Sequence, residues 1–336
     1  MAVIRKESKQ IREVSSFNVN LSCAIDPAKN RIACERCEKF FGCSDERKWQ
    51  IYSEGRLKLA RERMAKIKYK IAIVGGKGGV GKTMFTVNLA MGLAMRKYKV
   101  AILDSDYDGS SVPVMLGVTD KKLVIGENGA IDPVVGPEGI KIVSMGNLGK
   151  QGEIVTWYSD TRRGATEEFI THVNYGECDF LIVDLPPGTS ADTVNSMLFI
   201  PDMTGVVFIT VPSEVSQDVA SRAANLCQTA KVQGLGIIEN MSGYVCRSCH
   251  HRSELYSSGG GDKLSRDTGV PLIGHLPVDG YIGRACDEGN PFVRAYPESP
   301  GAKTMEEIID RLLESIQNTS RDLSHLDQKA KGLSWW

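Results

Sequence analysis

Between residues 69 and 317, short apolar runs alternate with longer stretches in which hydrophobic positions recur at helical spacing. The runs are rich in Val, Ile and Leu and are bounded by glycine or polar residues, which is typical of strands buried on both faces. The predicted strands are residues 71–74, 100–103, 140–144, 180–183, 205–211, 236–239 and 272–275. The predicted helices are residues 81–95, 163–174, 213–232, 281–288 and 302–317. This alternation predicts an α/β fold with a mostly parallel sheet and helices on both faces.

The chain outside this region has a different pattern. Residues 1–68 begin with no clear periodicity of hydrophobic positions and carry four cysteines. They continue into a charged stretch whose pattern predicts a helix over residues 45–68. Residues 318–336 are polar until the terminal Trp335-Trp336. We therefore predict a cysteine-rich segment with a linker helix at 1–68, an α/β domain at 69–317 and a tail at 318–336.

Composition narrows the classes of protein. The chain has 336 residues, of which 42% are hydrophobic and 24% charged, and this excludes collagen, coiled coil and disorder as descriptions of the whole chain. The 41 basic and 41 acidic residues cancel, so we expect neither a nucleic-acid partner nor a membrane partner. Residues 1–70 nevertheless hold 17 basic and 9 acidic residues. A solvated helix face explains this excess of basic residues, and a docking surface for an acidic partner is the alternative.

The sequence shows neither a signal-peptide pattern nor an apolar run long enough to cross a membrane. We therefore expect a cytoplasmic protein.

The first predicted strand leads into a phosphate-binding motif. Gly76–Thr83 reads GKGGVGKT and fits G-x-x-x-x-G-K-[ST] between a strand and a helix. Glycines allow backbone N–H groups to converge on phosphate oxygens, Lys82 neutralises β/γ-phosphate charge, and Thr83 offers a hydroxyl to Mg²⁺. The predicted nucleotide-binding residues of this loop are Gly75, Gly76, Lys77, Gly78, Gly79, Val80, Gly81, Lys82 and Thr83.

Lys77 is an additional lysine inside this loop. It cannot easily reach its own phosphates as well as Lys82 does, but it could point across an interface to a nucleotide held by another copy. We therefore predict a homodimer with nucleotide between the subunits.

Carboxylates follow two of the predicted strands. Asp104 and Asp106 end the second strand, and Asp184 ends a later one. In open parallel sheets, ligands bind beyond the carboxyl ends of the strands. Carboxylates at that edge can hold Mg²⁺ or orient an attacking water, although a single such Asp is more often a helix cap.

Cys246 and Cys249 form a C-x-x-C pair, which supplies two thiolates where a tetrahedral zinc or an iron–sulfur cube needs four ligands. His250 and His251 follow directly and could complete a zinc site, although adjacent residues rarely converge on one ion. The string also reads C-x-x-C-H, the haem c attachment pattern, but haem attachment belongs to exported proteins. The remaining alternative is one four-thiolate site made by two copies across a two-fold axis.

Four more cysteines lie near the amino terminus, spaced C-x10-C-x2-C-x5-C. They are Cys23, Cys34, Cys37 and Cys43. A 4Fe–4S cube and a structural zinc both suit this spacing. The isolated Cys178, Cys227 and Cys286 are predicted to be small buried hydrophobes.

Four segments together carry a family resemblance. They are Gly76–Thr83, the D-x-D-x-x-G-x-S-x-P segment Asp104–Pro113, the VD-x-PPGT segment Val183–Thr189, and the ENMSGY-x-C-x-x-C run Glu239–Cys249. With these segments, the chain resembles the Mrp/ApbC family of iron–sulfur carrier ATPases, relatives of MinD, ParA and the nitrogenase iron protein. The four-cysteine front end looks like that of the Nbp-type branch, which carries an extra cluster there.

The resemblance implies roles for individual residues of an ATP hydrolase that turns over slowly. Lys77 would act on the partner's nucleotide, Asp106 would position water, Asp184 would lie near Mg²⁺, and Asn240 would contact the adenine. The C-x-x-C pair would hold a labile 4Fe–4S cluster that bridges the homodimer and is handed to apo iron–sulfur proteins.

The sequence also departs from the family pattern, since Arg247 and Ser248 stand where the family often has a proline within C-x-x-C. The predicted function is an ATP-dependent 4Fe–4S carrier or scaffold. One alternative is an ATP-driven electron-transfer reductase that resembles the nitrogenase iron protein. Another is a positioning ATPase that resembles MinD or ParA, but residues 310–336 show no strong basic amphipathic stripe.

Overall fold

The computed structural model describes residues 48–107, 109–126, 129–148, 159–188, 193, 197, 199–229, 232–246, 249, 251–254 and 259–319. The chain divides into two compact units, Met1–Leu59 and Ala60–Trp336. Of the first unit, the structure describes only the start of helix α1, which spans Lys48–Met64. The predictions for Cys23, Cys34, Cys37, Cys43 and the tail after residue 319 lie outside the described residues.

A nine-stranded sheet forms the centre of the second unit. The strands are β1 (Ile67–Gly75), β2 (Val100–Asp104), β5 (Val134–Val135), β6 (Lys141–Ser144), β7 (Cys178–Asp184), β8 (Gly205–Thr210), β9 (Gly234–Val245), β10 (Arg252–Ser253) and β11 (Leu272–Val278). Their order in the sheet is β10-β9-β8-β1-β7-β2-β6-β5, with β11 also paired to β9. Neighbouring strands are parallel apart from the pairs β10–β9 and β5–β6. A separate hairpin pairs β3 (Val124–Ile125) with β4 (Ile131–Asp132).

The central strands form because their β-branched and leucine side chains are buried on both faces of the sheet. Strand β1 lies between β7 and β8, with Ile73 opposite Asp184 on one side and Val207 on the other. This places the residues that follow β1 at the middle of the carboxyl edge of the sheet, where ligands bind in such folds.

Helices pack against the sheet in two groups. The helices are α2 (Lys82–Met95), α3 (Val112–Met115), α4 (Ser159–Thr171), α5 (Glu214–Thr229), α6 (Gly260–Thr268), α7 (Gly280–Asp287), α8 (Phe292–Ala295) and α9 (Pro300–Thr319). One group includes α2 and α9, which contact each other, and the other includes α5 and α6. Helix α2 is apolar around most of its circumference and is buried along most of its length, as expected for a helix covered on all sides. None of the helices in the described ranges is long and apolar enough to cross a membrane.

The predicted α/β fold with a mostly parallel sheet is confirmed. Most element boundaries shift by a few residues, and two of these shifts have a clear physical reason. Helix α1 ends at Met64 and β1 begins at Ile67, whereas the helix was expected to reach residue 68, because Ile67 is buried and pairs with Cys178 on β7. Strand β9 runs to Val245, six residues beyond its predicted end at residue 239. Its second half contains polar residues that lowered the strand signal, and these residues turn out to be part of the candidate site.

Candidate functional site

The carboxyl edge of the sheet brings together three polar side chains from neighbouring strands. The β2–β7 register places Asp104 opposite Asp184, and the β2–β6 register places Asp104 opposite Ser144. All three are buried, and the Ser144 hydroxyl donates a hydrogen bond to Asp104 Oδ2 at 2.8 Å. The site therefore has a buried acidic floor.

The phosphate loop connects β1 to α2, and the first turn of α2 contacts this floor through the hydrogen bond from Thr83 to Asp184. Gly79 and Gly81 have positive φ angles of 78° and 92°, a backbone conformation that favours glycine. The exposed Lys77 and Gly78 form the outer part of the loop, whereas Val80 is buried and anchors it. The loop ends at the amino terminus of α2, which adds positive potential for a phosphate group.

Asp184 is held by two hydroxyl groups of α2. Thr83 Oγ1 donates to Asp184 Oδ2 at 2.6 Å, and Thr86 Oγ1 donates to Asp184 Oδ1 at 3.1 Å. Across the described residues, no group of three or more His, Cys, Asp or Glu side chains is arranged to hold a metal ion. The single carboxylate of Asp184 beside the Thr83 hydroxyl suits Mg²⁺, which proteins commonly bind through one or two carboxylates while phosphate oxygens and waters complete the octahedron.

The two buried aspartates differ in their electrostatics. Burial raises the pKa of Asp184 from 3.8 to about 6, while the Thr83 hydrogen bond and the charge of Lys82 oppose this increase. Burial and the negative charge of Asp184 raise the pKa of Asp104 well above its ordinary value. Burial therefore disfavours the charged form of both carboxylates, but Lys82 and the hydroxyls of Thr83 and Thr86 stabilise the anion of Asp184 in particular. Asp184 is thus the carboxylate placed to face a positive charge.

The predicted water-positioning residue, Asp106, is half-buried just beyond β2. Its backbone N–H donates to Asp104 Oδ1 at 3.1 Å, and its own Oδ1 accepts from the Gly109 N–H at 3.2 Å. The following residue, Tyr107, is buried, and its hydroxyl lies 2.6 Å from Thr166 Oγ1 on α4. Asp106 is thus held at the same edge as the phosphate loop by backbone contacts on both sides.

Asn240 lies against the phosphate loop. Its Nδ2 donates to the carbonyl oxygen of Val80 at 2.8 Å, and its Oδ1 accepts from the Met241 N–H at 2.9 Å. The side chain is almost fully buried. The structure thus places Asn240 beside the loop, and its implied contact with adenine stays a prediction.

The C-x-x-C pair lies at a hairpin that extends from the same strand. Strand β9 ends at Val245 and pairs antiparallel with β10, and the Cys246 N–H donates to the His251 carbonyl at 2.9 Å, which closes the hairpin. Cys246 is half-buried and Cys249 is exposed. One half-buried and one exposed thiol therefore lie at this hairpin, six and nine residues beyond Asn240, which contacts the phosphate loop.

The isolated cysteines lie in a different environment. Cys178 and Cys227 are buried, and Cys286 is half-buried on α7. Burial raises the pKa of all three thiols, that of Cys227 to about 12. A raised pKa keeps a thiol protonated and disfavours metal ligation. Cys178 and Cys227 are buried as predicted, whereas Cys286 is only partly covered by the core.

The positive φ of Gly81 and its contact with Asn240 lead to a stability prediction. An added Cβ at Gly81 would lie 2.3 Å from Asn240 Nδ2, whereas one at Gly78 would meet nothing within 4 Å. We expect Gly81→Ala to lower the melting temperature of the nucleotide-free protein by several degrees, since a strained backbone residue costs about 1–3 kcal/mol. Gly78→Ala, the matched control, should melt within about 1 °C of the unchanged protein. Equal melting temperatures for the two variants, measured by calorimetry, would contradict this assignment.

Sequence reasoning did not identify three contributors to the site. Thr86 follows Thr83 at helical spacing i, i+3, which could have indicated a second hydroxyl on the same face. Ser144 carries no comparable signal, because its role depends on strand register. The same holds for Glu239, a buried carboxylate next to Asn240 that accepts hydrogen bonds from Ser242 Oγ and from the distant Gly261 N–H.

Comparison with known proteins places this site in context. Residues 66–313 match the ParA family model described as NUBPL iron-transfer P-loop NTPase. The chain is 40% identical over 257 residues to the iron-sulfur cluster carrier protein of Saccharolobus solfataricus, covering 76% of this chain and 86% of that protein. It is 38% identical over 285 residues to the iron-sulfur cluster carrier protein of Methanococcus maripaludis, covering 84% and 96%.

Two solved structures show the same fold. A nucleotide-binding protein from Archaeoglobus fulgidus in complex with ADP is 31% identical, with a TM-score of 0.63 over 74% of this chain and 95% of that chain. The MinD cell division ATPase of Pyrococcus furiosus has a TM-score of 0.57 at 23% identity, over 74% and 99%, and shows similarity of fold alone.

Proposed function

The chain belongs to the ParA family of P-loop NTPases, in the group described as NUBPL iron-transfer proteins, and on this premise we propose that it is an ATP-dependent iron–sulfur cluster carrier. Two copies would hold one 4Fe–4S cluster between them and pass it to apo-proteins. Relatives named iron-sulfur cluster carrier protein, 36–40% identical over most of this chain, support the proposal.

The observation that carries the proposal is the position of Cys246 and Cys249. Both lie at a hairpin on the surface, and among the described residues one chain supplies two thiols there. A 4Fe–4S cube takes four thiolates, so a two-fold axis through this hairpin would complete the set with the same residues of a second copy. A cluster held at the surface by two short hairpins is accessible to an acceptor protein. This accessibility favours a cluster that is transferred over a cluster that stays bound as a redox centre.

The phosphate loop supplies the ATP-dependent half of the proposal. Lys82 would bind the β- and γ-phosphates, and Thr83 and Asp184 would hold Mg²⁺. When bound, Mg²⁺ neutralises charge on the phosphate oxygens. The exposed side chain of Lys77 would reach the nucleotide of the second copy, which would link nucleotide binding to dimerisation.

The hydrolytic step is ordinary phosphoryl transfer to water. Asp106 would orient a water molecule in line with the γ-phosphorus. The bond from this water to phosphorus forms as the bond from phosphorus to the β,γ-bridging oxygen breaks, and ADP and inorganic phosphate leave with the water's protons. The nucleotide state of the dimer then changes without any covalent change at the cysteines.

Anaerobic transfer of the cluster tests this proposal directly. The protein is reconstituted with iron and sulfide, mixed with an apo-protein that requires a 4Fe–4S cluster, and followed by the acceptor's activity with and without MgATP. We expect transfer whose rate depends on MgATP. A cluster that remains on the protein through repeated reduction and oxidation, with no acceptor activation, would instead identify an electron-transfer reductase and contradict the carrier.

A further inference from the structure

One amide side chain touches both the phosphate loop and the strand that leads to the cysteines. Asn240 donates to the Val80 carbonyl and accepts from the Met241 N–H. Since Val80 offers an acceptor and Met241 offers a donor, these partners fix which way the amide points. The contact is tight, because a Cβ at Gly81 would lie 2.3 Å from Asn240 Nδ2. Any movement of this peptide segment on phosphate binding would therefore displace the Asn240 amide.

The strand bulges immediately after this contact. Leu276 of β11 pairs with Asn240, and Val278 pairs with Tyr244, so four residue steps along β9 face two along β11. Met241 has a φ of 57°, a left-handed conformation that is uncommon for a residue with a long side chain. Such residues are held in place by their surroundings and are found in switch regions and active sites, and bulges likewise redirect side chains beside active sites.

A buried carboxylate fixes the strand immediately before the bulge, next to Asn240. Glu239 is 1% exposed; its Oε2 accepts from the Gly261 N–H at 2.6 Å, and its Oε1 accepts from Ser242 Oγ at 2.8 Å. His275 Nδ1 lies 3.4 Å from the same Oε1. The Ser242 bond folds the bulge back onto this anchored part of the strand. The bulge thus lies between the anchored residues Glu239 and Asn240 and the last residues of β9, which lead directly to Cys246.

We propose that Met241 and Ser242 are positioning residues that transmit the state of the phosphate loop to the cysteine hairpin. When the Val80 carbonyl moves, its hydrogen bond moves the Asn240 side chain with it. The strained bulge then transmits this displacement along β9 and changes the orientation of Cys246 and Cys249. This inference rests on the proposed function, because it explains how nucleotide could control the hold on a cluster. Such coupling requires an element that can adopt two arrangements, and the state of the nucleotide site must favour one of them over the other. In this inference the bulge is that element.

The reactivity of Cys249 in the cluster-free, full-length protein tests the inference. Reduced protein is alkylated anaerobically with iodoacetamide without nucleotide, with MgADP and with a non-hydrolysable ATP analogue and Mg²⁺, and the rate at Cys249 is read by peptide mass spectrometry. We expect nucleotide to change this rate by about fivefold or more, the lower end of ordinary coupling between sites. Met241→Gly, which removes the strain, and Ser242→Ala, which removes the tether to Glu239, should each abolish this change while calorimetry shows unaltered nucleotide affinity.

Ser315→Ala is the matched control, since Ser315 Oγ donates at 2.8 Å to the Leu235 carbonyl at the opposite end of β9. It should retain the full nucleotide response. A response that persists in both bulge variants would overturn the inference, as would an unchanged alkylation rate in the unsubstituted protein. Shielding of Cys249 by dimerisation alone would survive in the bulge variants and would therefore count against the inference.

This experiment separates the inference from the proposed function. A nucleotide-dependent alkylation rate in a protein that transfers no cluster would leave the inference standing and remove the carrier function. If the protein transfers a cluster but its Cys249 alkylation rate does not depend on nucleotide, the carrier function stands and the inference fails.

Discussion

Replacing both hairpin cysteines, as Cys246→Ala/Cys249→Ala, is expected to lower the iron content of the anaerobically reconstituted protein by about two ions per chain. This is half of one 4Fe–4S cube shared by two chains. Sulfide should fall in the same proportion, and the variant should lose any iron-dependent shift from monomer to dimer in gel filtration. Iron bound by the front cysteines would be unaffected, so the difference between the two proteins reports on the hairpin alone.

The control for this prediction is Cys286→Ser, which removes a half-buried thiol on α7. Its raised pKa disfavours metal binding, so it should retain the iron content of the unsubstituted protein. If the double variant keeps all of its iron and sulfide, the hairpin does not hold a cluster and the central claim of the proposed function fails.

The phosphate loop and the order of strands and helices could be predicted from sequence because their signals are local. The glycines of Gly76–Gly81 come directly after a β-branched run and directly before a helical pattern. Each of these features depends on backbone conformation or on burial of neighbouring side chains, so a short window contains the whole argument.

The second half of β9 could not be predicted in this way. Glu239, Asn240 and Ser242 are polar, and their burial depends on partners far along the chain, including Val80 and Gly261. A sequence window contains none of these partners, so the polar run was expected to end the strand. The hydrogen bond between Ser144 and Asp104 has the same origin, because it follows from the register of β2 with β6. The sequence thus indicated which residues carry chemistry, while their mutual positions depend on tertiary contacts.

Asp184→Asn is expected to stabilise the nucleotide-free protein at neutral pH while it impairs ATP hydrolysis. Burial raises the pKa of Asp184 from 3.8 to about 6, so the folded protein binds this proton more tightly than the unfolded chain does. The associated stabilisation is complete below about pH 4 and is lost as the pH rises to about 6, a change of about 3 kcal/mol for a shift of about two pKa units. Asparagine keeps hydrogen-bonding capacity for Thr83 and Thr86 without the buried charge. The variant should therefore gain stability relative to the unsubstituted protein by up to about 3 kcal/mol between pH 4 and pH 7.

Urea denaturation of both proteins at pH 4, 5, 6 and 7 measures this difference, with the exposed Asp120→Asn as the control that should show little change. Saturating MgADP should reverse the order at pH 7, because a ligand that binds only the folded state stabilises it and the variant lacks the carboxylate that would face Mg²⁺. The rate of ATP hydrolysis should fall by about a hundredfold, the scale of losing one electrostatic contact in an active site. An Asn variant that is less stable than the unsubstituted protein at pH 7 without nucleotide would show that Asp184 contributes to folding as a charged group. That result would contradict the interpretation that the buried Asp184 carboxylate destabilises the nucleotide-free protein and that a bound cation offsets this destabilisation.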